Sequence, residues 1–356
     1  MTQGMRAVAL LSCCLALPAP AAENVFLITL DGLRWQELFS GGEAELVHDE
    51  AYTPAPEYVP GTFWQGSAEV RRAALMPFFW DTIAVRGTLI GNRLRGSEVN
   101  VSNRQWFSYP GYNEILTGFD DPEIVSNDRV PNRNVTVLEW VNRQPGFEGQ
   151  VAAFASWEVF PWIINEDRSG VPVNAGFESA SGLISERERY LNRLQSQTPS
   201  PFNTVRLDVF THHFALEYLA RESPRLLYIA YGETDDFAHS GDYRRYLDAA
   251  HRTDGFIREL WNFVQSDPRY RDRTTFVITT DHGRGSGAGW TTHDIDTPGA
   301  DHIWVALLGP GIPARGELSG GAVFSQSQMA ATVAELLGLH YRDRLEIGAS
   351  ILPSLD

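Results

Sequence analysis

The chain has 356 residues, 43% hydrophobic and 12% aromatic with ten Trp, ample for a large buried core. It contains no lysine, so all 29 basic side chains are Arg, which excludes Schiff-base and Lys-dependent P-loop chemistry. A formal charge of −16 argues against a nucleic-acid scaffold as partner. It leaves small anionic substrates open, because a bound metal can dominate the local field.

At the N-terminus, Arg6 precedes the apolar run 7–17 (AVALLSCCLAL), and 18–22 (PAPAA) supplies small residues for cleavage. This has the shape of a secretory signal peptide and is short for a membrane span. It predicts a signal over 1–22 and a mature chain of 23–356, periplasmic or secreted, with a lipoprotein anchor at Cys13 as the alternative. Cys13 and Cys14 both fall in the leader, so the mature chain has no disulfide, no thiolate nucleophile and no Cys-ligated metal. Any metal must be held by His and carboxylates.

Five apolar runs predict interior strands: NVFLITL (24–30), QVAAFAS (150–156), RLLYIAY (225–231), TTFVITT (274–280) and IWVALLG (303–309). Helical patterns lie between them at 68–84, 184–196, 210–222, 243–264 and 327–338. The alternation predicts an α/β fold: a doubly wound, mostly parallel central sheet with helices on both faces, and function gathered at the carboxyl ends of the strands. The stretch 119–203, richer in Asn, Pro, Gly and Trp, suggests a small cap or insertion within a single domain over 23–356.

Three of these strands deliver a carboxylate at their carboxyl end. The first ends in Asp31. RLLYIAY is followed by GETDDFAH, with Asp235 and, four residues on, His239, a spacing that suits one helical face. TTFVITT ends in Asp281 and His282, and His293 follows in a Gly-rich loop that can fold over the site. His302, its rival, abuts the next strand. Three carboxylates and three imidazoles suffice for two divalent ions, and His with Asp suits Zn²⁺, with Mn²⁺ or Fe as competitors. Ser108, in NRQWFSYPGYNEILTG (103–118), opens a short helix and is the candidate nucleophile, since a helix N-terminus favours anions. His48, His212, His213, His251 and His340 read as surface or core residues; His212 and His213, adjacent on a helix, face different directions.

These motifs resemble the alkaline phosphatase superfamily, and within it the nucleotide pyrophosphatase/phosphodiesterase-like branch, from the Asp31 strand to the GPGI turn at 309–312. The resemblance implies one metal on Asp31, Asp281 and His282 with the Ser108 oxygen, and a second on Asp235, His239 and His293. It further implies attack by Ser108 on the phosphorus of a small phosphoric ester and a phosphoseryl intermediate. The branch pattern has Thr as nucleophile and an Asn three residues later. Here Ser108 stands at the first position and Gly111 at the second, with Asn113 two further on as the substitute; Arg284, after DHG, is a second candidate contact for the substrate anion. SYP (108–110) also resembles the start of the sulfatase S/C-x-P-x-R motif, but Tyr112 occupies the Arg position. The alternatives are a phosphomutase of the same superfamily and a non-catalytic member that binds a glycan or protein. Leaving group and oligomeric state have no readable code.

Overall fold

The computed structural model describes residues 22–321, 323–343 and 345–355; the signal expected over 1–22, with Cys13 and Cys14, lies outside the described residues apart from Ala22. The strands among them are β1 (Asn24–Leu30), β2 (Thr88–Ile90), β3 (Glu98–Asn100), β4 (Val151–Ala155), β5 (Val173–Ala175), β6 (Leu226–Tyr231), β7 (Thr274–Thr279), β8 (His302–Ile303), β9 (Val305–Leu308), β10 (Gly316–Glu317) and β11 (Val323–Ser325). Eight form a central sheet in the order β10-β2-β9-β7-β1-β6-β4-β5, and β11-β3-β8 form a small second sheet. In the central sheet β9 runs antiparallel to both neighbours, and every other pairing is parallel.

The apolar runs lack hydrophobic–polar alternation because both faces of the sheet are covered. Along β1, Phe26, Ile28 and Leu30 enter one core with the helices Asp208–Glu222 and Tyr243–Ser266. Val25 and Leu27 enter the other core, with the helices Ser108–Thr117 and Met329–Leu336. This is the two-residue period of a strand, with both sides apolar.

Two expectations are adjusted. The run 303–309 is divided at Trp304: β8 pairs with β3 in the small sheet, while β9 joins β7 and β2. The helix expected over 68–84 stops at Leu75, because Pro77 disfavours helical backbone at Met76, which sits at φ −127° and ψ 69°. The chain then restarts as a wide turn over Phe79–Ile83, and the amides of Phe78, just before it, and Phe79 donate to the buried Asp254 carboxylate at 2.9 and 3.0 Å. The stretch 119–203 supplies β4 and β5 to the central sheet.

Candidate active site at the carboxyl ends of β1, β6 and β7

β7, β1 and β6 are adjacent and parallel, so their carboxyl ends open side by side. β1 runs into Asp31 and β7 into Asp281 and His282; β6 turns at Gly232 into the helix Glu233–His239, which carries Asp235 and His239. Gly32, at φ +58°, lets the chain leave β1 beneath these groups. A Cβ there would lie 2.7 Å from Asp235 Oδ1, and its amide donates to Asp281 Oδ1 at 3.1 Å.

The first group is Asp31, Asp281 and His282. His282 Nδ1 lies 2.9 Å from Gly283 O, and a carbonyl only accepts, so Nδ1 carries the proton and Nε2 presents its lone pair. That lone pair faces Asp31 Oδ1 and Asp281 Oδ2, each at 3.4 Å, and Ser108 Oγ at 3.5 Å. Both carboxylate oxygens are buried without a hydrogen-bond partner. Acceptors therefore converge with one hydroxyl as the donor among them, an arrangement that suits a divalent cation. Burial pushes the Asp31 and Asp281 carboxyls well above the usual range; Asp235 adds to the rise at Asp31, and Asp31 to that at Asp281.

The second group adjoins the first. His239 Nε2 is 3.2 Å from Asp235 Oδ2 and 2.9 Å from His293 Nε2, and His293 Nε2 is 3.6 Å from Asp235 Oδ1. The His293 ring stacks on His282 with centroids 3.7 Å apart, and His282 Nε2 is 3.9 Å from Asp235 Oδ1. Burial works against the Asp235 charge, but Arg284, His239 and His293 together hold its carboxyl well below the usual range. His293 is held well below the usual imidazole range, first by burial and then by His282. His302 stays outside, pairing with Asp301 at 3.5 Å.

Ser108 is the first residue of the helix Ser108–Thr117 and is buried. Gly111 leaves no room for a side chain three residues after Ser108: a Cβ there would lie 2.4 Å from Asp281 O. The helix packs directly on the end of β7 and needs a bare backbone at that point. Asn113 is not the substitute. It is fully buried on another face, donating to Phe119 O and accepting from Asn132 and Asn134 at 3.2 and 3.1 Å. Arg284 does not face a substrate either. It is 1% exposed, and its guanidinium donates to Trp290 O, Thr291 O and Asp235 Oδ1, tying the loop that carries His293 to the helix that carries Asp235.

Two neighbours of the site escaped the sequence reading. Tyr112 OH donates to Asp31 Oδ2 at 2.7 Å, which turns Oδ1 toward His282. Its four-residue spacing from Ser108, one turn along the same helix face, was the available signal. Asn127 Oδ1 accepts the Tyr109 amide at 2.9 Å, which brings this exposed loop residue to the N-terminus beside Ser108. Nothing in sequence spacing marks it.

The sequence profile described as "Type I phosphodiesterase / nucleotide pyrophosphatase" matches residues 25–297, which include every residue of both groups and Ser108. The chain belongs to that family. It is a hydrolase acting on phosphoric esters, within the alkaline phosphatase superfamily. No curated protein matches the chain. Its fold is similar to that of the alkaline phosphatase PafA, with a TM-score of 0.61 at 10% identity over 93% of this chain and 98% of that one. It is also similar to the lipoteichoic acid synthase LtaP from Listeria monocytogenes, with a TM-score of 0.59 at 11% identity over 93% and 75%. A protein in the alkaline phosphatase superfamily from Vibrio parahaemolyticus gives a TM-score of 0.54 at 12% identity over 94% and 71%. Among the described residues no helix is long and apolar enough to cross a membrane.

Proposed function

We propose that this hydrolase cleaves a small phosphoric ester through a phosphoseryl intermediate on Ser108, with one divalent cation held by Asp31, Asp281 and His282 and a second by Asp235, His239 and His293. The carrying observation is the pair of orphaned buried oxygens, Asp31 Oδ1 and Asp281 Oδ2, facing the Nε2 lone pair of His282. With His and carboxylate donors and no Cys, Zn²⁺ suits the sites best. When bound, such cations neutralise phosphoryl oxygens and lower the pKa of a bound hydroxyl.

The chain's own groups account for the rest. Ser108 Oγ attacks phosphorus, the bond to the leaving oxygen breaks, and water later displaces Ser108 from phosphorus and restores the hydroxyl. Tyr112 orients Asp31, and Arg284 holds Asp235 ionised between the two imidazoles. Asn127, brought beside Ser108, contacts a phosphoryl oxygen. Its hold on the Tyr109 amide supports this reading. Residues 1–22 direct export, as their charge and small-residue pattern suggest.

The test is hydrolysis of an aryl phosphate diester and the matching monoester by residues 23–356 loaded with Zn²⁺. Turnover lost both on chelation and in Ser108→Ala supports the proposal. Turnover that survives either treatment refutes it.

A further inference from the structure

Trp106 has a backbone that a Trp rarely adopts. Its φ is +52°, whereas the other non-glycine residues described with positive φ are Asn165, Ser223 and Asp272. Polar residues of that kind visit this region at helix ends and turns; for a bulky aromatic it is strained and persists only where neighbours enforce it.

The enforcement is traceable. Asn103 Oδ1 accepts the amides of Gln105 and Trp106 at 3.0 and 3.1 Å, which bends the chain into the left-handed turn. Asn103 is itself clamped by Glu114: its amide and Nδ2 donate to Glu114 Oε2 at 2.8 and 2.9 Å, and the Ser102 amide donates to both Glu114 oxygens. Asn103 and Glu114 are buried, and Glu114 belongs to the helix that begins with Ser108. At the other end of this chain of contacts, Trp106 O lies 3.0 Å from His293 Nδ1. The carbonyl only accepts, so His293 is protonated on Nδ1 and offers the Nε2 lone pair to the space it shares with His239 and Asp235.

We propose that Trp106, held in the left-handed conformation by Asn103 and Glu114, is the positioning residue of His293: its carbonyl sets the tautomer that gives the second group its affinity for a cation. The helix bearing the nucleophile therefore also fixes an imidazole of the other group, so the two halves of the site are aligned by one element. His282 is set in the same way by Gly283 O, but through its own neighbour, whereas His293 sits in a loop and depends on a partner 187 residues away in sequence. The metal half of this inference rests on the proposed function; the tautomer half does not.

The experiment compares residues 23–356 with Asn103→Ala and with Asn103→Ala/Trp106→Gly. It reads the His293 tautomer by nitrogen-15 NMR of the metal-free proteins and Zn²⁺ affinity by competition with a chromophoric chelator. Asn103→Ala is expected to lose the Nδ1–H tautomer at His293. It should also weaken one of two Zn²⁺ affinities about 10–100-fold and leave the other in place. Glycine adopts positive φ without strain, so the double variant recovers most of both signals. An unchanged tautomer in Asn103→Ala overturns the inference, as does equal weakening of both affinities or no recovery in the double variant. If the wild-type chain binds no Zn²⁺ while Asn103→Ala still loses the tautomer, the proposed function sinks and the positioning of His293 stands.

Discussion

Two groups of histidine and carboxylate flank the same sheet, and they differ in what their lone pairs face. At the strand ends, His282 spends Nδ1–H on a carbonyl and turns Nε2 toward carboxylate oxygens that lack any other partner. On the helical flank, His212, His213 and Glu259 lie close enough to share an ion, beside an apolar cavity of about 1060 Å³ lined by Leu191, Leu194, Phe210 and Phe263. There His212 is closed. Its Nε2 is 3.1 Å from Glu259 Oε2, which only accepts, and its Nδ1 is 3.0 Å from Tyr231 OH, which can donate. A neutral imidazole satisfies both contacts, and Phe256 stacks on its ring at 4.4 Å. Residue types are alike in the two places. The placement of hydrogens separates a group that suits a cation from one that is already complete.

The comparison breaks most visibly in activity. Ser108→Ala, Asp281→Asn and His282→Ala are each expected to lower kcat/KM about 10⁴-fold or more, while His213→Ala leaves it within about twofold; stopped assays on an aryl phosphate ester decide this. If His213→Ala proves as damaging as His282→Ala, the distinction fails. Next in size is Tyr112→Phe, which frees Asp31 Oδ2 and is expected to weaken metal binding about 10–100-fold with the fold intact, read by chelator competition and circular dichroism. Asn127→Ala should lower kcat/KM about 10–100-fold without changing metal content, in keeping with loss of one phosphoryl contact.

A smaller effect sharpens the helical side. Burial lowers the His212 imidazole to about 4, with His213 adding to it against Glu259. Between about 6.5 and 4 the unfolded chain therefore binds more protons there than the folded one. The stabilisation is present above 6.5 and is lost as pH falls toward 4. His212→Gln should flatten that acid limb, on the order of 3 kcal/mol at most, in urea titrations across pH. Of comparable size is the opposite slope from Asp254, which burial raises to about 7 against the Phe78 and Phe79 amides. Here the folded chain holds the extra proton, so stability falls as pH rises from about 4 to 7, and Asp254→Asn should remove that slope.

The sequence disclosed the elements whose signal is local. β1, β4, β6 and β7 are unbroken apolar runs because both faces of the sheet are buried, and Asp31, Asp281 and His282 follow directly at their ends. Asp235 and His239 declared themselves by a four-residue spacing. β2, β3, β5, β10 and β11 did not, since strands of two or three residues carry no periodicity and exist through their partners. Asn113 and Arg284 misled for a related reason. Their proximity to Ser108 and His282 in sequence was read as proximity to substrate, yet Asn113 turns toward Asn132 and Asn134, and Arg284 is consumed by Asp235 and two carbonyls. Conversely, the Trp106 contact to His293 spans 187 residues and leaves no local trace.

The most direct measurement is an anomalous difference map from crystals of residues 23–356 grown with Zn²⁺, recorded above and below the zinc edge. The account predicts two peaks, one bonded to Asp31, Asp281 and His282 and one to Asp235, His239 and His293, each about 2.0–2.2 Å from its ligands, with none at His212, His213 and Glu259. Zinc on the helical group with the strand ends empty would contradict it.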